Sequence, residues 1–254
     1  MQRKIGISWL TIALLIISIL LSFTIACGKK TDQAKKHFNL ALQYEEQKMP
    51  QEALKEYRQA IQLDPGLADA HFRLGALYHT LNSFAAAIGE YQKVLQINPN
   101  YPGIHTALAH AYYVRGMNAW VRAMNLDQLT YMEADTLRSL SYRDKAELNK
   151  SIEEYQNTVR ADTSDAATFS KLSQAFYILA VEEYQKGIQA NPSDTAAMLY
   201  LALTYSEQGY PQKAALLCDA LTKVDPRAAN VLQTMLQQKE KEKLYYDELR
   251  KRQK

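Results

Sequence analysis

The sequence predicts an all-α protein, a solenoid of helical hairpins about 34 residues long, behind an N-terminal apolar segment. Three observations predict it. Residues 34–67 align on 68–101 when shifted by 34, so that His37 falls on His71, Phe38 on Phe72, Leu40 on Leu74, Ala41 on Gly75, Tyr44 on Tyr78, Ala53 on Ala87, Tyr57 on Tyr91, Ile61 on Leu95 and Pro65 on Pro99. A fixed period of this length marks a repeat architecture. Apolar residues recur at three- and four-residue spacing in each half-unit, which is the helical period. Finally, the 254 residues include only 9 Gly and 7 Pro, and no alternating β pattern of useful length.

Within each unit, Leu40 and Tyr44 line one face of a first helix, and Ala53, Tyr57, Ala60 and Ile61 line a second. Small residues (Ala41 or Gly75, Ala53 or Ala87) stand where two helices must approach closely. Asp64-Pro65 and Asn98-Pro99 stop the second helix, because proline lacks an N–H and clashes with the preceding turn. This small–aromatic–small–proline pattern in a 34-residue helix–turn–helix resembles the tetratricopeptide repeat (TPR) family. The resemblance covers about residues 34–228.

Residues 1–26 carry Arg3 and Lys4 ahead of an uncharged apolar run from Ile5 to Ala26. Such a segment is an export signal or a membrane anchor. The junction Thr24-Ile25-Ala26-Cys27 resembles the bacterial lipobox, in which the cysteine is lipidated; Ala26 and Cys27 match it, and Thr24 departs from it. The resemblance implies lipidation at Cys27. The alternative is an uncleaved inner-membrane anchor with an extracytoplasmic domain. Either way the positive N-terminus stays inside, and the domain is membrane-attached in the cell envelope. Residues 27–33 form a short polar tether.

The array then reads as 34–67, 68–101, an expanded unit at 102–165, a shortened unit at 166–194, and 195–228. In the third unit His105, Leu108, Ala109 and Tyr112 keep register, and Gly116 is expected in the turn. Ser151, Tyr155, Thr158 and Val159 are expected to take the second-helix places, which leaves an insertion at about 117–146. Trp120, Met124 and Met132 are its possible contact residues, since such types favour interfaces. From Phe169 to Ile188 one helical stripe runs without a breaker, so a single continuous helix is predicted over about 166–190. Residues 195–228 return to the pattern, with Cys218 as a small apolar group in place of the usual tyrosine. Residues 229–254 are expected to cap the array, with Val231, Leu232, Met235 and Leu236 inward and a charged tail.

Nothing in the chain has the spacing of a catalytic motif: there is no H-E-x-x-H, C-x-x-C or serine-elbow sequence. No cofactor or metal is expected. Net charge is +3; without Arg3 and Lys4, residues 27–254 carry 28 − 27 = +1, which gives no support to a nucleic-acid footprint. His37, His71 and His105 recur at the period and are read as packing residues; a His-based metal site is the minor alternative.

In the resembled family, the first helices line a concave groove. Here that face would offer Phe38, Leu42, Glu45, Phe72, Ala76, His79, Thr106, His110 and Tyr113. The Lys/Asn clamp that family members use on terminal carboxylates is absent, since Phe38, Leu42, Phe72 and Ala76 hold those places. The resemblance therefore implies a non-enzymatic scaffold binding an apolar or aromatic protein or peptide segment.

Overall fold

A computed structural model describes residues 30–126, 145–161, 163 and 166–253. The expectations for residues 1–26, for Cys27 and for 127–144, Met132 included, lie outside them. The described chain is all-α: ten helices, with no strand among the described residues. They are α1 (30–46), α2 (Pro50–Leu63), α3 (Ala68–Thr80), α4 (Phe84–Ile97), α5 (Ile104–Leu126), α6 (Lys145–Ala161), α7 (Ala166–Ala190), α8 (Thr195–Glu207), α9 (Pro211–Val224) and α10 (Pro226–Gln253). No described helix is long and apolar enough to cross a membrane. The chain divides into two compact units, up to Leu77 and from Tyr78 onward.

In the first unit α1 and α2 form a hairpin around small residues. Ala41, Ala53 and Ala60 are fully buried, and so is the large ring of Tyr57. Phe38 leans on Tyr57 with ring centroids 5.8 Å apart. The turn between the helices needs one residue in the left-handed region, and Lys48 supplies it at φ 58°. Met49 N–H then donates to Tyr44 O at 2.9 Å. Pro50 opens α2, where its missing N–H costs nothing and its fixed φ suits a helix.

The second unit repeats this grammar. Asn82 (φ 58°) and Gly209 (φ 74°) take the left-handed position, and Ser83 and Tyr210 donate to Tyr78 O and Tyr205 O, both at 2.8 Å. Pro211 opens α9 as Pro50 opens α2.

The ends of the second helices repeat as well. Asp64, Asn98, Asn191 and Asp225 each donate a backbone N–H four residues back, to Ala60, Val94, Gly187 and Leu221. Their side-chain Oδ1 atoms each accept from the N–H two residues on, those of Gly66, Asn100, Ser193 and Arg227. This side-chain turn finishes the helix, and the following proline, where there is one, prevents its continuation. The spacings are 34, 93 and 34 residues, so the third unit holds 93 − 34 = 59 residues more than a period.

The structure pairs the halves of that unit differently from the sequence register. The continuous helix α7 is present over Ala166–Ala190, as predicted. Its second half, from Ala180, takes the second-helix places beside α5, where Ser151, Tyr155, Thr158 and Val159 had been expected. Two recurring contacts show it. Gln92 Nε2 donates to Tyr112 Oη at 3.0 Å, and Gln185 Nε2 to Tyr205 Oη at 2.9 Å, both across 20 residues. Similarly, His37 Nδ1 lies 2.6 Å from Glu56 Oε2, and His105 Nδ1 lies 2.7 Å from Glu183 Oε2. The sequence register chose residues 151–159 because a Tyr three residues before a Thr-Val pair imitates the motif.

Gly116 likewise occupies no turn. It lies inside α5, buried, where α5 and α7 run antiparallel and make the most extensive helix pair of the second unit. A Cβ on Gly116 would stand 2.7 Å from Tyr177 Cδ1 and 3.1 Å from Ser173 O. Glycine is there for close approach. The pair continues outward through Tyr112 with Phe176 (6.4 Å between centroids) and Arg122 over Phe169 (5.9 Å). Helix α6 packs on α7 through an apolar edge that buries Leu148 and Ile152.

At the C-terminus, α10 packs on α8 and α9. Among the described side chains of α10 only Ala229 and Leu232 are buried, and Leu236 is half-buried. Val231 and Met235, expected inward, are exposed: the buried stripe follows 229, 232 and 236, which turns 231 and 235 off the contact. Lys239 pairs with Glu207 and ties the cap to α8. Cys218 is half-buried, with Sγ 3.7 Å from Ala229 O. Burial and the Asp219 carboxylate push its thiol up, which suits an inert group.

Candidate functional site

The face of the first helices is built separately in the two units. In the first, Phe38, Leu42, Glu45, Phe72 and Ala76 are all half-buried on α1 and α3. Glu45 Oε2 stands 3.9 Å from Arg73 Nη1, a partly exposed pair of small energetic weight. Burial, reinforced by the Glu45 charge, pushes the Tyr57 hydroxyl well above the ordinary phenol range. The aromatic and aliphatic members leave an apolar surface with one acidic edge.

In the second unit the face is an aromatic and imidazole cluster. His110 Nδ1 and His79 Nε2 are 2.9 Å apart, so one ring donates and the other accepts. His79 meets the edge of Phe84 at 5.0 Å between centroids, and His110 lies 4.5 Å from Tyr200. Tyr113 packs on Tyr177 at 5.7 Å and Tyr200 at 5.9 Å. Tyr200 in turn stacks on Tyr184 at 6.2 Å. Burial lowers both histidines, and for His110, where His79 adds to it, the fall reaches about 4. Both rings are therefore neutral at neutral pH. Two imidazoles make a poor metal site alone, and no group of three or more His, Cys, Asp or Glu among the described residues is placed to hold a metal.

The structure brings His79 and His110 together at this face, half-buried and reachable. It withdraws two other expected residues. Tyr113 is buried against Tyr177 and Tyr200. Thr106 donates its hydroxyl to Asp194 Oδ2 at 2.7 Å and lies against Gly187, where an added Cβ would meet Thr106 Oγ1 at 2.8 Å. It locks α5 to the start of α8 instead of facing a ligand. The expectations for Trp120 and Met124 rest on side chains outside those described. Phe84, Tyr184 and Tyr200 were missed as members. Tyr200 carried a usable signal, since it follows Leu199, which stands at the same repeat position as Phe72 and Thr106 once the 59 extra residues are removed.

The period-spaced histidines are packing residues within their own repeats. His37 and His105 each donate Nδ1–H to a second-helix glutamate, Glu56 or Glu183. His71 is buried and donates Nε2–H to Pro65 O at 3.2 Å. Glu183 is 1 % exposed and is held by His105 and by Lys186 Nζ at 3.1 Å.

Comparison with known proteins bears on the fold. A family model described as "TPR repeat" matches residues 51–82 and 77–116. Among curated proteins none matches the sequence. Similar solved structures include a crystal structure of MamA, 17% identical over 78% of this chain and 81% of that one, with a TM-score of 0.47. YrrB, described as a TPR protein with an unusual peptide-binding site, is 16% identical over 84% of this chain and 97% of its own, with a TM-score of 0.32. A thermophilic TPR protein from Thermus thermophilus, TTC0263, is 15% identical over 81% of this chain and 97% of its own, with a TM-score of 0.36. Residues 51–116 therefore match the tetratricopeptide repeat, within a chain whose described residues are all helical.

Proposed function

We propose that the protein is a non-enzymatic scaffold that binds a protein or peptide segment along its first-helix face while attached to a membrane in the bacterial cell envelope. One observation carries the binding reading: half-buried aromatic, imidazole and aliphatic side chains gather on that face in each unit, with no catalytic constellation among them. Such a surface favours an apolar or aromatic segment packed by shape. Neutral His79 and His110 add one donor and one acceptor, which suits a ligand with a polar edge.

The membrane reading rests on the sequence of residues 1–27. A lipidated Cys27 would hold the repeats at a bilayer with acyl chains, and the short tether would keep them near it. The second reading, an uncleaved inner-membrane anchor, uses the same apolar run. Roles in assembling envelope, pilus or secretion complexes fit a scaffold so placed. A photo-crosslinking amino acid at Leu42 or His79 should capture a discrete partner in cells, and one at Gln62 or Gln96 on the second helices should not. Equal labelling from all four positions would remove the groove from the account. N-terminal mass, with and without Cys27→Ala, separates the anchors: a diacyl or triacyl mass on Cys27 means a lipoprotein, and a retained Met1 means an uncleaved anchor.

A further inference from the structure

The extra helical length of the third unit creates a second site away from the first-helix face. Antiparallel α5 and α7, together with α6 and the start of α4, line an open cavity of about 550 Å³. Small-molecule sites commonly have this size. Among the described residues, three guanidinium groups line it, those of Arg115, Arg122 and Arg160, and no Asp or Glu does. Among the described residues none of the three has a carboxylate partner; Arg160 Nη1 has only a long contact of 3.4 Å to Asn157 Oδ1.

Geometry prepares two of these groups. The Arg115 guanidinium lies 4.2 Å above the Phe176 ring, and that of Arg122 lies 5.9 Å from the Phe169 ring. Stacking on an aromatic face fixes the plane of the fork and leaves its edge N–H groups free to point into the cavity. Burial lowers Arg115 below its ordinary value, against the opposing effect of Tyr112, and the nearby positive charge of Arg160 lowers it further. An entering anion would relieve the repulsion between Arg115 and Arg160.

The polar remainder of the lining agrees. The 14-residue helix α4 begins at the cavity, and its N-cap Ser83 makes no side-chain capping bond, which leaves first-turn N–H groups there. Asn118 and Gln156 add side-chain donors. We propose that this cavity binds a phosphate group, with Arg115, Arg122 and Arg160 as its ligands and the Phe169 and Phe176 rings flanking whatever the phosphate is attached to. A planar fork matches two phosphate oxygens at once, and three forks favour a doubly charged monoester over a singly charged diester.

The test uses the full-length protein in a non-ionic detergent, at constant ionic strength, by titration calorimetry. Glycerol 3-phosphate and dihexanoylphosphatidic acid carry the same monoester on a soluble and a lipid body; dihexanoylphosphatidylcholine is the diester control. One-to-one binding of a monoester, weakened about tenfold or more in an Arg122→Gln/Arg160→Gln double variant, is the expected result. Those two arginines are exposed or at the cavity rim, so the variant should melt like the wild type; Arg115→Gln gives a second loss from the buried side. A tighter phosphatidic acid would assign the phosphate to a lipid headgroup, and equal or tighter glycerol phosphate would assign it to a soluble ester. No saturable binding of either monoester, or binding unchanged in the double variant, would overturn the proposal.

Discussion

His105 Nδ1 and Glu183 Oε2 meet at 2.7 Å across 78 residues of sequence, in the contact that His37 and Glu56 make across 19. The difference, 78 − 19 = 59, equals the excess length between Pro99 and Pro192. The third repeat is therefore an ordinary hairpin opened at its turn. Its two helices run on as α5 and the first part of α7, and α6 lies against the extension.

That contact carries stability. Glu183 is 1 % exposed and is held by two partners, His105 and Lys186. Removing His105 takes one hydrogen bond from a buried carboxylate that keeps Lys186, a loss of about 1.5–3 kcal/mol. His105→Ala should therefore lower the unfolding free energy by an amount in that range, and Glu183→Gln, which keeps a hydrogen-bond acceptor, by less. Urea titration of both variants checks the order.

Two glycines should respond oppositely to alanine. At Gly116 a Cβ would stand 2.7 Å from the Tyr177 ring and close to Ser173 O, so α5 and α7 must part. Overpacking of this kind costs about 1–3 kcal/mol. At Gly89, in the middle of α4, a Cβ meets nothing within 4 Å. There alanine should stabilise by about 0.5–1 kcal/mol through helix propensity. Thermal melts of G116A and G89A should move in opposite directions.

Acid should weaken the second unit through His79 and His110. Their folded values are depressed by burial, that of His110 to about 4. The unfolded chain titrates them near 6.5, so it binds more protons below that pH. Their contribution is fully present above about pH 6.5 and is lost as pH falls toward about 4. A His79→Leu/His110→Leu variant should show a flatter loss of stability over that window than the wild type. Parallel curves would mean the pair does not bury its rings as described.

Tyr57 and Tyr91 fill equivalent places, and both are buried. Truncating either to alanine should cost about 3–5 kcal/mol, the usual range for a large buried aromatic ring. A wild-type melting temperature for Y57A or Y91A would contradict the repeat packing.

The regular repeats were legible because their signals are local. Lys48, Asn82 and Gly209 sit in turns a few residues from the apolar positions they connect, and Asp64, Asn98, Asn191 and Asp225 close their helices within two residues. The continuous α7 was legible for the same reason, since its stripe from Phe169 to Ile188 has no breaker. Partnership across the opened repeat was not. A tyrosine at 155 and a tyrosine at 184 look alike in sequence; burial and the His105–Glu183 contact distinguish them. Gly116 misled because glycine serves a left-handed turn and a close helix crossing equally well. On the candidate face, His79 and His110 could be placed by period alone. Thr106 and Tyr113 share that period, yet they are taken up by Asp194 and by Tyr177, residues that period could not connect to them. Arg115, Arg122 and Arg160 converge only once α5, α6 and α7 pack together.

Deleting residues 117–175 tests the opened-repeat account most directly. The deletion removes 175 − 117 + 1 = 59 residues and joins Gly116 to Phe176. Gly116 then falls at the left-handed position held by Asn82 in the second repeat, and Ala180 falls on Ala87. The account predicts a shorter helical protein that unfolds in one cooperative transition, in which Glu183→Ala still lowers the melting temperature. A deletion variant without cooperative unfolding, or one indifferent to Glu183→Ala, would contradict it.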